Sequence, residues 1–125
     1  MSLRVMVVDD ALFMRTALRR ILTEAGFDVI AEAENGSQAV ECYQQAQPDV
    51  VAMDITMPIM DGLAALKEIR AKDPQASVVM CTAMGQQRLV MEALQAGAKD
   101  YITKPFQASR VVSGLRKAAG LADAN

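Results

Sequence analysis

At 125 residues, with 52% hydrophobic and 22% charged residues, the chain has the size and composition of one globular domain built around a single core. It contains no histidine, which excludes Ser-His and Cys-His nucleophile pairs and histidine metal ligands. The net charge of -2 is unevenly spread: residues 1–84 hold 7 Lys and Arg against 12 Asp and Glu, whereas residues 85–125 hold 6 against 3. The acidic part suits a cation site and the basic part suits a partner that carries acidic groups. Direct binding of nucleic acid is disfavoured, because no dense basic run is present.

The regular elements alternate along the chain. In chain order the pattern predicts a strand at 4–9, a helix at 11–25, a strand at 28–33, a helix at 37–45, a strand at 49–54, a helix at 62–72, a strand at 77–82, a helix at 86–96, a strand at 99–103 and a helix at 108–121. Such alternation indicates an α/β fold, in which parallel strands are joined by crossover helices on both faces of the sheet. Residues 1–125 are expected to form one domain with its core at about 4–121, followed by a polar tail at 122–125.

Local signals refine these elements. The first helix should be capped by Asp10 and ended by Gly26, with one apolar stripe formed by Phe13, Ala17, Leu18, Ile21 and Leu22. Asp61-Gly62 is interpreted as a turn that also caps the start of the third helix. Cys42 and Cys81 have no C-x-x-C spacing and are expected to be small core hydrophobes.

No apolar run reaches the roughly 18 residues of a membrane span, and the N-terminus lacks the pattern of a secretory signal. We therefore expect a cytoplasmic protein that does not bind membranes.

Chemically active residues fall at the carboxyl ends of four predicted strands. Asp9-Asp10 ends the first strand, Asp54 the third and Thr82 the fourth, and Lys104 follows the fifth. Those ends meet at one edge of an open parallel sheet, where such folds place their sites. Three carboxylates in a half-buried cleft repel one another unless they protonate or hold a cation, and hard oxygen ligands favour Mg²⁺.

A lysine and a hydroxyl beside such a cation could orient a phosphoryl group, and a carboxylate there could act as its nucleophile. Asp54 is the strongest candidate, because an acidic residue that closes an apolar run costs free energy unless it is paired. Taken alone, Asp10 is more typical of a helix cap, and Thr82, Tyr101 and Lys104 are ordinary strand or surface residues.

Four segments in this order and spacing resemble response-regulator receivers, especially single-domain receivers of the chemotaxis type. They are Val7-Val8-Asp9-Asp10, Met53-Asp54-Ile55-Thr56-Met57-Pro58-Ile59-Met60-Asp61-Gly62, Cys81-Thr82-Ala83-Met84-Gly85 and Ala96-Gly97-Ala98-Lys99-Asp100-Tyr101-Ile102-Thr103-Lys104-Pro105-Phe106. The resemblance spans residues 4–121 and implies a flavodoxin-like fold with strand order 2-1-3-4-5.

The same resemblance implies roles for individual residues. Asp54 would be the phosphoacceptor, Lys104 would contact the phosphoryl group, and Thr82 would hydrogen-bond one of its oxygens. Mg²⁺ would be held by Asp9, Asp10, Asp54 and the backbone carbonyl of Thr56. Tyr101 would move inward into the space that Thr82 vacates, and the peptide bond before Pro105 would be cis. Ala83 and Met84, which follow Thr82, are included in the site, and Met57, Met60 and Met84 could line a contact surface near it.

The resemblance also implies partners. A sensor histidine kinase, in this case a chemotaxis kinase, or a small molecule such as acetyl phosphate would donate the phosphoryl group. A flagellar motor switch protein would be the target, bound on the face formed by the fourth helix, fifth strand and fifth helix, and a phosphatase is a further partner.

Three alternatives remain open. The chain could be a receiver from a larger regulator with a transcriptional or enzymatic output. It could be a phosphohydrolase of the haloacid-dehalogenase type, although that family wants a second aspartate where this chain has Thr56. A flavodoxin-type electron carrier is disfavoured, because Asp9-Asp10 would repel the cofactor phosphate.

Overall fold

The sheet and its helices follow the predicted alternation. The computed structural model describes residues 2–121. Its elements are β1 (Arg4–Val8), α1 (Leu12–Glu24), β2 (Asp28–Ala33), α2 (Gly36–Ala46), β3 (Val50–Asp54), α3 (Gly62–Lys72), β4 (Val78–Thr82), α4 (Gln87–Gln95), β5 (Asp100–Thr103) and α5 (Ala108–Ala118). The strands pair in parallel in the order β2-β1-β3-β4-β5. The predicted fold class and strand order are therefore confirmed, while the tail at 122–125 lies outside the described residues.

Two apolar layers cover the sheet, one on each face. Alternate strand residues point to opposite faces, so Met6 and Val8 join the layer under α2, α3 and α4, whereas Val5 and Val7 join the layer under α1 and α5. β3 and β4 are buried along their whole length. Their continuous apolar sequences are explained by burial on both faces, as in parallel sheets generally.

The start of α1 differs from the prediction. The N-cap residue is Ala11, which makes no side-chain cap bond, and Asp10 is exposed. Asp9 Oδ1 accepts from the Ala11 amide at 2.9 Å, which forms a side-chain turn just before the helix and not a helix cap. Phe13 is also wrong as a core residue, because the residue is 80% exposed. The inward position near it is held by the buried Arg15.

The edge strand β2 pairs irregularly with β1. Val5 lies opposite Val29 and Met6 lies opposite Ala31, so Ile30 has no counterpart in β1. β2 is also less buried than the central strands, with only Ala33 fully buried. One side of the sheet therefore ends in a bent, half-exposed strand.

Both cysteines contact the apolar core. Cys81 is buried in β4, and Cys42 is half-buried against the core of the other face. Within residues 2–121 no helix is long and apolar enough to cross a membrane.

Candidate functional site

Three carboxylates gather at the carboxyl edge of the sheet. Asp9 and Asp10 follow β1 and Asp54 ends β3, two strands that are neighbours in the sheet. One carboxylate oxygen from each residue lies within 4.8 Å of the others. Asp9 and Asp54 are buried, whereas Asp10 is exposed to solvent. Two of the three carboxylates are thus held in the interior, and the third faces solvent.

Lys104 is the cation that faces this cluster. Its Nζ lies 3.0 Å from Asp9 Oδ2 and 3.4 Å from Asp54 Oδ1. The Lys104 amide donates to the Thr82 carbonyl at 2.8 Å, and the peptide bond to Pro105 is cis. The lysine is therefore fixed at both ends, by the chain at β4 and by two carboxylates.

The protonation equilibria reflect this crowding. Burial raises the pKa of the Asp54 carboxyl above its usual value, and this effect exceeds the opposing attraction of Lys104. Burial by itself would lower the pKa of Lys104, but the hydrogen bond to Asp9 and the charges of Asp54 and Asp9 outweigh it, so that pKa is raised. Among residues 2–121, one ammonium group faces the three carboxylates, which leaves negative charge uncompensated. The oxygen donors and this excess charge fit a hard divalent cation such as Mg²⁺.

Asp9 is fixed by a buried arginine that the sequence interpretation assigned no role. Arg15 Nη1 donates to the Asp9 carbonyl at 2.7 Å, and its Nε lies 3.2 Å from Glu32 Oε1. Its other Nη lies 3.6 Å from Glu34. Arg15 therefore links the end of β1 to β2 and the residue after it, beneath the acidic cluster. The only sequence signal was its position in the segment after Asp9-Asp10, where it could equally be a surface residue.

Thr82 lies on the other side of Asp54, at the end of β4. Asp54 pairs with Cys81 in the sheet, so Thr82 is the next residue beyond that pair. Its buried hydroxyl donates to Gln86 Oε1 at 2.9 Å and contacts the Ala83 carbonyl at 3.2 Å. Gln86 also links to the hydroxyl of Thr56 at 2.8 Å. Sequence reasoning missed Gln86, because a glutamine before a helix carries no signal of such a bridge.

Tyr101 is placed apart from the acidic cluster. The residue is 41% exposed and lies along a groove of about 320 Å³ between α4 and β5, with Thr82, Met84 and Met91 in the lining. Met84 is 89% exposed, as a contact residue should be. Met57 is instead buried in the core, and Met60 packs against it, so these two do not form the expected contact surface.

The loop between β3 and α3 is held tightly against Asp54. Asp61 Oδ1 accepts from the Ala64 amide at 2.8 Å, which confirms the predicted cap of α3. The Gly62 amide donates to the Ile55 carbonyl at 2.7 Å. A Cβ on Gly62 would stand 2.1 Å from the Asp54 carbonyl oxygen, so only glycine fits at this position.

Comparison with known proteins decides the family. The model of the response regulator receiver domain matches residues 5–116. The chain belongs to the response regulator receiver family. This receiver is 59% identical over 117 residues to the chemotaxis protein CheY of Bacillus subtilis strain 168, covering 94% of this chain and 98% of the relative. CheY of Listeria monocytogenes is 57% identical with the same coverage.

A solved structure gives the same result. A chain in the crystal structure of the CheX-CheY-BeF3-Mg²⁺ complex from Borrelia burgdorferi matches this receiver with a TM-score of 0.88 and 38% identity, covering 92% of this chain and 87% of that one. The receiver is therefore a two-component signalling protein, similar to chemotaxis response regulators over nearly their whole length.

Proposed function

We propose that the receiver takes a phosphoryl group on Asp54 and then changes its affinity for another protein. The observation that carries the proposal is the position of Asp54, buried beside two further carboxylates with Lys104 Nζ 3.4 Å from its Oδ1. Asp9, Asp10, Asp54 and the Thr56 carbonyl would hold Mg²⁺. When bound, this ion supplies positive charge that neutralises the incoming phosphoryl group.

The carboxylate of Asp54 is the nucleophile. One of its oxygens forms a bond to phosphorus while the bond from phosphorus to the donor breaks. The leaving group is acetate when the donor is acetyl phosphate, and the histidine side chain when the donor is a phosphohistidine. Lys104 pairs with the phosphoryl oxygens as the transferred charge approaches. Water then attacks phosphorus, which releases phosphate and regenerates Asp54. The receiver in this way catalyses only its own phosphorylation and dephosphorylation.

The switch couples Thr82 to Tyr101. Thr82 lies one residue beyond the sheet partner of Asp54, so its hydroxyl can turn from Gln86 towards a phosphoryl oxygen. Tyr101 lines the same groove as Thr82 and would move inward as the hydroxyl leaves. A hydrogen bond to a charged oxygen contributes about 1.5–3 kcal/mol, enough to shift a near-balanced equilibrium by one to two powers of ten.

The output surface in this proposal is the face of α4, β5 and α5. It contains the groove beside Tyr101 and the exposed side chains of Met84 and Met91, and it lies in the part of the chain with excess positive charge. The partners would be a chemotaxis histidine kinase as donor, the flagellar motor switch protein as target, and a phosphatase. Residues 1–125 would act as one cytoplasmic receiver domain.

Phosphoryl uptake tests the first half of the proposal. Acetyl phosphate with Mg²⁺ should add one phosphoryl group by mass spectrometry, and hydroxylamine should remove it, because it is an acyl phosphate. Asp54→Asn should abolish the addition. Asp61→Asn is the matched control, since asparagine also caps helices and should leave uptake intact. A label that resists hydroxylamine, or that persists in Asp54→Asn, contradicts the assignment.

Partner binding tests the second half. Thr82→Ala should still be phosphorylated but should lose most of the phosphorylation-dependent gain in affinity for the motor switch protein. Tyr101→Ala should change that affinity without changing Mg²⁺ binding. A Thr82→Ala protein that keeps the full affinity ratio would contradict the coupling.

Two other functions have distinct signatures. A receiver from a larger regulator would have the same phosphorylation chemistry but would bind neither the chemotaxis kinase nor the motor switch protein. A phosphohydrolase would turn over a generic phosphomonoester repeatedly, and Thr56 stands where that family wants its second aspartate.

A further inference from the structure

Gln86 connects the two loops that flank Asp54. Its Oε1 accepts from Thr82 Oγ1 at 2.9 Å and from the Ala83 amide at 2.8 Å, and its Nε2 donates to Thr56 Oγ1 at 2.8 Å. Both ends of the carboxamide are thus engaged, one by the loop after β4 and the other by the loop after β3. The Thr82 hydroxyl that it holds is buried.

A hydroxyl carries a single hydrogen, which it cannot donate at full strength to two acceptors in different directions. In this structure the Thr82 hydrogen is directed to Gln86 and, more weakly, to the Ala83 carbonyl at 3.2 Å. A phosphoryl oxygen on Asp54 must take that hydrogen from them. The additional bonds of Gln86 to Ala83 and Thr56 keep the carboxamide in place and oppose its release.

We propose that the Gln86 carboxamide is an intramolecular competitor of the phosphoryl group for the Thr82 hydroxyl, and that it stabilises the unphosphorylated state of the switch. This inference rests on the proposed function of Thr82. Gln86 is a positioning residue: it acts through the hydroxyl and has no part in phosphoryl transfer itself. Removing its carboxamide should therefore ease the switch rather than damage the site.

The test substitutes methionine, which keeps the length of the side chain and removes both polar atoms. Gln86→Met should bind beryllium trifluoride, at saturating Mg²⁺, about twofold to tenfold more tightly than the unsubstituted receiver, the change that one net hydrogen bond produces. Gln87→Met is the matched control, because Gln87 is the next residue and its exposed side chain makes no hydrogen bond to residues 2–121. Its dissociation constant should equal that of the unsubstituted receiver.

Nuclear magnetic resonance of the Ala83 amide measures both the affinity and the contact. Without ligand, this amide should exchange its hydrogen faster in Gln86→Met than in Gln87→Met, because its acceptor is gone. Thr56→Val removes the hydrogen bond between Gln86 Nε2 and the Thr56 hydroxyl, and it should also tighten beryllium trifluoride binding, by a smaller factor. Unchanged or weaker binding by Gln86→Met overturns the proposal.

A double substitution separates positioning from a general loosening of the loop. With Thr82→Val, which lacks the hydroxyl, Gln86→Met should have no remaining effect on beryllium trifluoride affinity. A tightening that persists in full without the hydroxyl overturns the competitor role. Failure of the proposed function has a different signature, since the unsubstituted receiver would then bind beryllium trifluoride no better than Asp54→Asn does.

Discussion

Substitution by alanine should change the stability of the protein in opposite directions at two helical glycines, Gly62 and Gly114. Gly62 begins α3, where a Cβ would meet the Asp54 carbonyl oxygen at 2.1 Å and the Ile55 Cα at 3.0 Å. Both atoms belong to the backbone and cannot rotate away. Gly114 lies inside α5, where a Cβ would meet the flexible end of Arg110 at 3.0 Å and Ile102 at 3.5 Å.

The expected magnitudes follow from these contacts. At Gly114, alanine should stabilise the protein by about 0.5 kcal/mol, since it restricts the unfolded chain and favours helix. At Gly62 the gain from helix propensity is at most about 1 kcal/mol, while overpacking against the backbone costs about 1–3 kcal/mol. A contact of 2.1 Å belongs at the upper end of that cost. Gly62→Ala should therefore lower the free energy of unfolding by about 2 kcal/mol.

Urea unfolding followed by circular dichroism measures both changes, because the chain contains no tryptophan. Gly62→Ala should also reduce phosphoryl uptake, since relief of the contact displaces the backbone of Asp54. Equal stabilities of Gly62→Ala and the unsubstituted protein would refute the reasoning, as would a loss at Gly114 as large as that at Gly62.

Three further predictions concern the metal site and the interior. Asp10→Asn should weaken Mg²⁺ binding at least about tenfold and slow phosphoryl uptake with it, and uptake that proceeds normally in excess chelator would exclude a role for the metal. Tyr43→Phe removes a 2.7 Å hydrogen bond to Asp73 and should cost about 1–2 kcal/mol of stability in urea, a loss that would be absent if the bond has no net value. Burial raises the pKa of the Cys81 thiol to about 12, so a thiol reagent at pH 8 should label Cys42 first and Cys81 only on unfolding; equal labelling rates in the folded protein would contradict this.

The sequence was sufficient for the elements whose ends carry local signals. α3 ends before Asp73-Pro74 as predicted, and its bounds at 62–72 agree with the structure. α5 is three residues shorter than predicted, because Gly120 adopts a φ of 87° just beyond it and ends the helical path. The strands agree to within one residue at each end, and the apolar runs of β1, β3 and β4 make those three distinctive in the sequence.

The gathering of Asp9, Asp54, Thr82 and Lys104 was also predictable, because parallel strands present their carboxyl ends at one edge. The contacts of Arg15 and Gln86 were not. Arg15 bonds to Asp9 and to a glutamate on β2, and Gln86 reaches Thr56 thirty residues away. Such pairs depend on the final spacing of strands and loops, which periodicity does not encode. The roles of the site residues stay predictions until phosphoryl uptake and partner binding are measured.

The irregular strand β2 affects how copies of this receiver behave when they are concentrated. An open sheet could grow by adding a strand from a second molecule along the free hydrogen-bonding groups of its outer edge. The unmatched Ile30 bends that edge, and the exposed Asp28 places a negative charge on it. A second molecule would bring the same bend and the same charge. Sheet extension between copies is therefore opposed at this edge by shape and by repulsion, and β5 with Tyr101 forms the other edge of the sheet.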